Sequence, residues 1–263
     1  MKLGVIGVGN MGAAIIKGYI ASGASPSDIY IYQRSADKKK AFADETGVNA
    51  CDSVVELADA CDSIMIAVKP AQVREVLAQI SDRLSDKVLI SIAAGITVDQ
   101  LAEAGGVKIV RVMPNTPSQI GCGMSAVCRS KNVSDEEFAD VINIFESIGR
   151  AAEVSESLMD AVTGVSGSGP AYVYLFIEAM ADGGVLAGMP RPMAVEFAAQ
   201  TVLGAAKMVL ETGQHPGALK DAVCSPGGTT IEAIRNLEAG GFRSTVMEAV
   251  IASAEKSEEM TNN

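Results

Sequence analysis

The sequence predicts two successive architectures, an α/β domain built on a parallel sheet over residues 1–152 and an all-α domain over residues 153–263. Three observations carry this reading. In the first part, short runs rich in β-branched residues alternate with amphipathic stretches. A glycine-rich turn separates the first run from the first amphipathic stretch. Beyond Ala152 the strand signals fade, and the chain reads as helices punctuated by Gly and Pro.

The predicted strands are LGVI (3–6), IYIY (29–32), SIMIAV (63–68), KVLISI (87–92), KIVRV (108–112) and MSAVC (124–128). Helices are expected between them at 12–22, 36–46 and 71–80. Ser134 with Glu137 three positions later is a capping box that opens another, running to about Ile148 before Gly149. The second part predicts helices at 155–164, 170–187, 192–211, 216–223, 229–239 and 242–260, with Pro170 as the first residue of its helix.

A hydrophobic content of 48% in 263 residues is ample for a buried core, so disorder is not expected. The net charge of −11 and pI near 4.6 argue against nucleic acid or an anionic membrane as partner, because both need a basic face. Cys51, Cys61, Cys122, Cys128 and Cys224 form no CxxC, and His215 is the single histidine, so no metal site is expected. An odd cysteine count points to reduced thiols. The N-terminal MKLGVIGVGNMG is interrupted by glycines and Asn10 before a signal-peptide core forms, and no apolar run is read as approaching the ~18 residues of a membrane helix. The expectation is a cytoplasmic protein. The segment AYVYLFIEAMA (171–181) is apolar on more than one face, so the helical domain is expected to cover it in a homodimer.

Gly7-Val8-Gly9-Asn10-Met11-Gly12 is a GxGxxG directly after a predicted strand and at the mouth of a predicted helix. There the first glycine permits the tight turn, the second admits a pyrophosphate to the backbone, and the third lets helix and strand pack closely. Free N–H groups at the helix start complete an anion site. At the end of the second strand, where an NAD site places an acid for the ribose 2′-OH, the chain has Gln33-Arg34-Ser35. Arginine and a hydroxyl suit a 2′-phosphate, and no carboxylate stands in the way, which predicts NADP(H), with NAD(H) as a second possibility. Ala67-Val68-Lys69-Pro70 ends the SIMIAV strand at the edge where such ligands bind, with Lys69 within reach of phosphate or ribose. Asn115, in the rigid MPNTP (113–117), is expected to line the same edge. The alternative for these loops is that they only finish strands.

A second anion site is read at Cys224-Ser225-Pro226-Gly227-Gly228-Thr229-Thr230, which carries no cation. Thr229 with Glu232 reads as a capping box, leaving Thr230 free. The glycines 227 and 228 let the backbone approach a ligand. The N–H groups of Gly228, Thr229 and Thr230 would hold a carboxylate at the positive helix end, with hydroxyls from Ser225 and Thr230. A plain helix-to-helix turn is the alternative. TGVSGSGP (163–170) likewise packs three glycines ahead of a helix. Glu178, with Tyr174 and Asp182 one turn to either side, reads as a solvated face, and His215 as a loop or helix-start residue.

In this order, GVGNMG at 7, AVKP at 67, SIAAGIT at 91, RVMPNTP at 111, TGVSGSGPAYVY at 163 and LKDAVCSPGGTTIEAI at 219 resemble the pyrroline-5-carboxylate reductases. The resemblance spans nearly the whole chain and implies a Rossmann-type domain, a helical dimerisation domain and NAD(P)H as hydride donor. It also implies a cyclic imino acid as substrate, with a larger assembly of dimers open. By that likeness the loop 225–230 binds the substrate carboxylate, Thr230 stands near the imine nitrogen as the catalytic residue, and Cys224 departs from an expected Ser or Thr. Hydride transfer to a protonated imine needs no strong base, so a scarcity of histidine is no objection. Two rivals are a related NADP-dependent dehydrogenase of 3-hydroxy acids or imines, and a non-catalytic NADP-binding protein. The first would use a lysine, for which Lys207 is the candidate, read here as lacking an acid or amide one turn later.

Overall fold

Apolar runs too short for helices and flanked by turn residues become the centre of a single sheet in the computed structural model, which describes residues 1–105 and 107–262. Its strands are β1 (Leu3–Ile6), β2 (Ile29–Tyr32), β3 (Asn49–Ala50), β4 (Ser63–Ile66), β5 (Val88–Ser91), β6 (Lys108–Met113), β7 (Gly123–Arg129) and β8 (Gly149–Glu153). They lie in the order β3-β2-β1-β4-β5-β6-β7-β8. Every neighbouring pair is parallel except β6 with β7. The strand order reverses between β1 and β4, the crevice that receives ligands in open α/β sheets.

Alternate residues feed the two faces, as the strand period requires. Leu3 and Val5 of β1, Met65 of β4, Ile90 of β5 and Val110 of β6 enter one apolar cluster with Ile15, Ile16 and Phe145. Ile6, Ile64, Ile66, Leu89 and Ile109 enter the other with Leu57, Val73, Leu77 and Ile80. Burial on both faces explains why these strands read as continuous apolar runs.

The helices are α1 (Asn10–Ala21), α2 (Ala36–Thr46), α3 (Val54–Ala60), α4 (Pro70–Ile80), α5 (Val98–Ala102), α6 (Asp135–Glu146), α7 (Met159–Val162), α8 (Gly169–Leu186), α9 (Arg191–Thr212), α10 (Pro216–Val223), α11 (Thr229–Ala239) and α12 (Phe242–Asn262). The Ser134 box forms with both of its hydrogen bonds, Glu137 N–H to Ser134 Oγ at 3.2 Å and Ser134 N–H to Glu137 Oε2 at 2.9 Å. Lys108 and the Ser134 backbone hold the Glu137 carboxyl down to about 2.

Several sequence expectations shift. SIMIAV is strand only to Ile66, and α1 begins at Asn10 rather than residue 12, because Gly9 already accepts the Ala13 N–H at 2.8 Å. The helix expected at 155–164 is instead a 3₁₀ turn (Glu156–Leu158), the short α7 and a π-helical turn (Thr163–Gly167). In α8, Pro170 is second, after Gly169.

Contacts divide the chain into two compact units, Met1–Ser168 with Ala252–Asn263, and Gly169–Ile251. Strand signals end at residue 152, yet Val154, Met159 and Val162 pack on Ala126 and Cys128 of β7, which keeps the following turns with the sheet. Among the described residues of the second unit, Ala181, Ala194 and Ala198 form the buried apolar cluster, where α8 meets α9. Leu175, Tyr174, Phe197 and Val223 are 60% or more exposed, and Leu186 is 91% exposed. A lone helical unit cannot cover this much apolar side chain. By length and composition α9 would be apolar enough to cross a membrane, contrary to the expectation that no run comes near that length. Its charged residues are Arg191, Glu196, Lys207 and Glu211, which leaves an uncharged, Ala-rich stretch between Glu196 and Lys207.

Candidate active site

The turn after β1 is built backbone to backbone. Gly7 takes a φ of +104°, and its N–H donates to Tyr32 O at 2.9 Å. A Cβ there would lie 2.6 Å from Ala67 O, so the loops after β1 and β4 touch at the switch point. A Cβ at Gly12 would lie 2.3 Å from Gly7 O, the close helix-to-strand approach that only glycine allows. Gly9 differs: with an ordinary φ of −80°, a Cβ on it would meet nothing within 4 Å. The fold itself therefore does not require glycine at position 9, and the space beside its backbone is open. Gly9 caps α1 without any side-chain bond, so the first-turn N–H groups of Asn10, Met11 and Gly12 face outward as an anion cradle. The Val8 N–H is engaged by Gln33 Oε1 at 3.1 Å. This backbone fits a dinucleotide pyrophosphate.

At the end of β2, Ser35 caps α2 by accepting the Lys38 N–H at 3.4 Å, which leaves its hydroxyl proton free to donate. Arg34 is not alone. Its guanidinium donates to Glu75 Oε2 of α4 at 2.7 Å, both side chains more than half exposed. The expectation that no carboxylate stands near is thus overturned by a residue 41 positions away, which no local pattern reveals. Ala67 and Val68 are half-buried in the loop after β4. Lys69 precedes Pro70 as the cap of α4, and its ammonium is exposed with no partner among the described residues. Asn115 is used as a brace: its amide donates to Ser166 O at 3.0 Å and accepts the Met124 N–H at 2.9 Å, tying the end of β6 to β7 and to the π-helical turn. That turn packs tightly, a Cβ at Gly167 lying 2.9 Å from Met113 Cε.

An ion pair that sequence reading did not find, its arginine buried and its carboxylate 36% exposed, holds this edge. Arg111 of β6, 8% exposed in its side chain, donates to Glu156 at 2.9 Å, and the same carboxylate oxygen accepts the Val98 N–H at 2.7 Å. Glu156→Ala should leave a buried cation and an unmet N–H, costing about 3 kcal/mol. Denaturant midpoints of the two proteins measure this, while Arg111→Met with Glu156→Leu together should recover most of the loss.

In the second unit, Ser225-Pro226-Gly227-Gly228 forms a turn closed by Gly228 N–H to Ser225 O at 3.1 Å, with Gly227 at φ +67° in the third position that a type II turn reserves for glycine. A Cβ at Gly228 would lie 2.3 Å from Ser225 Oγ. The turn consumes the Gly228 N–H, which therefore cannot serve an anion as expected. Gly228, not Thr229, caps α11, so the Thr229–Glu232 box does not form. Glu232 is drawn away by Arg235, whose fork donates at 2.6–3.1 Å and holds the carboxyl below its usual range. Both threonines consequently lie in the first turn with hydroxyls unpartnered among the described residues, and the N–H groups of Thr229, Thr230 and Ile231 are left at the positive helix end. Nearby, Asp221 holds the Lys220 ammonium above its usual range. His215 caps α10, its Nδ1 accepting the Gly217 N–H at 3.1 Å. Glu178 is exposed, and Asp182 pairs with Arg191. Lys207 does have an acid one turn later, Glu211 at 3.7 Å, in a pair about two-thirds exposed on both sides.

Residues 156–260 match the family model described as pyrroline-5-carboxylate reductase dimerisation, and residues 2–95 match NADP oxidoreductase coenzyme F420-dependent. The pyrroline-5-carboxylate reductase of Escherichia coli (strain K12) is 54% identical over 266 residues, covering 100% of this chain and 99% of that protein. The chain belongs to the pyrroline-5-carboxylate reductase family. Among solved relatives in this family, the Plasmodium falciparum pyrroline carboxylate reductase with NADP bound is 40% identical with a TM-score of 0.89, covering 99% of this chain and 98% of that one. The Coxiella burnetii pyrroline-5-carboxylate reductase reaches 0.95 at 35% identity, with the same coverage. The dimerisation match spans the exposed apolar helices α8 to α12, including α9, and gives that surface a reason other than lipid. The family is an NAD(P)-dependent oxidoreductase family, with NADP(H) as the cofactor that the glycine cradle fits.

Proposed function

We propose that this protein reduces 1-pyrroline-5-carboxylate to L-proline with NADPH, the last step of proline formation. The observation that supports it most is full-length identity above one half to a reductase of that name, in a chain whose two anion cradles are both built from backbone. NADPH supplies the hydride. The cradle of Gly7, Gly9 and the first turn of α1 holds the pyrophosphate; Val8, its N–H engaged by Gln33, shapes that turn. Arg34 and Ser35 take the 2′-phosphate. Ala67, Val68, Lys69 and Pro70 form the wall beside ribose and phosphate, with Asn115 bracing the nicotinamide end.

The first turn of α11 anchors the substrate carboxylate through the N–H groups of Thr229 and Thr230, without a cation, and the Ser225–Gly228 turn fixes its approach. The loop itself carries no lysine or arginine, and Lys220 before it is paired with Asp221. Thr230 Oγ orients the ring nitrogen. Hydride added to the imine carbon, which is C2 of the pyrroline ring and C5 of the proline formed, would turn the C=N π electrons into a nitrogen lone pair, and the one proton carried in by the iminium would leave the product amine neutral. Uncharged positioning of this kind lowers the barrier by fixing the reacting atoms rather than by base strength. The exposed apolar helices pair with a second copy in a homodimer, and the protein acts in the cytoplasm.

The test is NADPH oxidation on adding 1-pyrroline-5-carboxylate, set beside NADP⁺ reduction with 3-hydroxy acids. Turnover with the imine alone is expected. Turnover with the hydroxy acids alone would replace the substrate reading, and nucleotide binding without turnover on either would favour a non-catalytic protein.

A further inference from the structure

The pair formed by Arg34 and Glu75 bears on cofactor choice. Arg34 follows β2 and Glu75 lies on the second turn of α4, and each element runs from the sheet edge that carries the glycine cradle. Glu75 occupies one terminal nitrogen of the guanidinium at 2.7 Å. Lys39 nearby is spent on Asp52 and the Cys51 carbonyl, Lys38 in the first turn of α2 is exposed, and Ser35 offers one hydroxyl proton. Arg34 is a guanidinium fork that this corner offers to an anionic group, and it already has an anion.

We propose that Glu75 is a specificity-determining residue that restrains the preference for NADPH over NADH by holding Arg34. This rests on the reading that Arg34 takes the 2′-phosphate. A phosphate monoester of nearly two negative charges must either displace the Glu75 carboxylate from the guanidinium or share it at close range, and both lower its affinity. The uncharged 2′-hydroxyl of NADH meets neither penalty. Because the pair is exposed, the effect is modest and shrinks with salt.

Glu75→Gln keeps size and hydrogen bonding and removes the charge. Dissociation constants for NADPH and NADH, read from the fluorescence of the bound reduced nicotinamide, are measured for the native protein, Glu75→Gln, Arg34→Ala and the double variant. Glu75→Gln is expected to tighten NADPH about fivefold while leaving NADH within about twofold. In the Arg34→Ala background the same change is expected to do little. If Arg34→Ala weakens NADPH but Glu75→Gln leaves it unchanged or weaker, the proposal is overturned with the Arg34 reading intact. Equal tightening in both backgrounds would also overturn it, since Glu75 would then act on the phosphate and not through Arg34. If Arg34→Ala leaves NADPH affinity untouched, both the proposal and the reading beneath it fall.

Discussion

Gly9→Ala is expected to weaken NADPH binding on the order of 100-fold while changing stability by no more than about 1 kcal/mol. The reasoning is local. A methyl group on Gly9 meets no protein atom within 4 Å and the backbone there is in an ordinary extended conformation, so the fold can accept it. What it cannot accept is a phosphate lying against that backbone, because the methyl would hold the oxygens off charge-assisted N–H contacts. Gly12→Ala is the contrasting variant. Its Cβ would press to 2.3 Å from the Gly7 carbonyl, so α1 must move, and stability should fall by about 2 kcal/mol along with affinity. Thermal melting and nucleotide titration of the two variants measure the difference. If Gly9→Ala melts early as well, position 9 serves the fold and the cradle reading is wrong.

Thr230→Ala is expected to lower kcat/KM on the order of 100-fold and leave the NADPH dissociation constant unchanged, with Thr230→Ser retaining most of the activity. Because α11 starts at Thr229 with Gly228 as its cap, the Thr230 hydroxyl sits in the first turn, close to the orphan N–H groups and engaged by no described residue. Thr229→Ala is the matched control, its hydroxyl equally unpartnered but more exposed, and a smaller loss is expected. Steady-state kinetics with nucleotide titration separate the outcomes. Full activity in Thr230→Ala would remove the hydroxyl from the reaction.

Much of the fold is legible because its signals are local. Leu3–Ile6 and Val88–Ser91 are buried on both faces and therefore read as apolar runs, Ile29–Tyr32 buries its isoleucines and half-buries its tyrosines, and Ser134 with Glu137 closes within four residues. β8 escapes because Gly-Arg-Ala-Ala-Glu contains no β-branched residue; its place at the sheet edge comes from pairing with β7, a tertiary matter. β3 is too short to leave a periodic trace. The false capping box at Thr229 has the right spacing, but Arg235 one turn on competes for Glu232, and a fork to a guanidinium outweighs a single backbone bond. Of the site, the glycine cradle and the Ser225 turn are visible from glycine and proline positions. Arg34 with Glu75 and Arg111 with Glu156, 41 and 45 positions apart, are not, because nothing in either local sequence encodes the meeting.

The chemistry itself is tested by following the hydride. The protein is given 1-pyrroline-5-carboxylate and NADPH carrying deuterium at the transferable position of nicotinamide C4, and the product is examined by mass and by proton NMR. Proline bearing a single deuterium at C5, formed in equal amount to the NADP⁺ released, is the expected result. Proline without deuterium, or oxidation of the nucleotide with no proline formed, would contradict direct hydride transfer to the imine carbon and with it the function proposed for this chain.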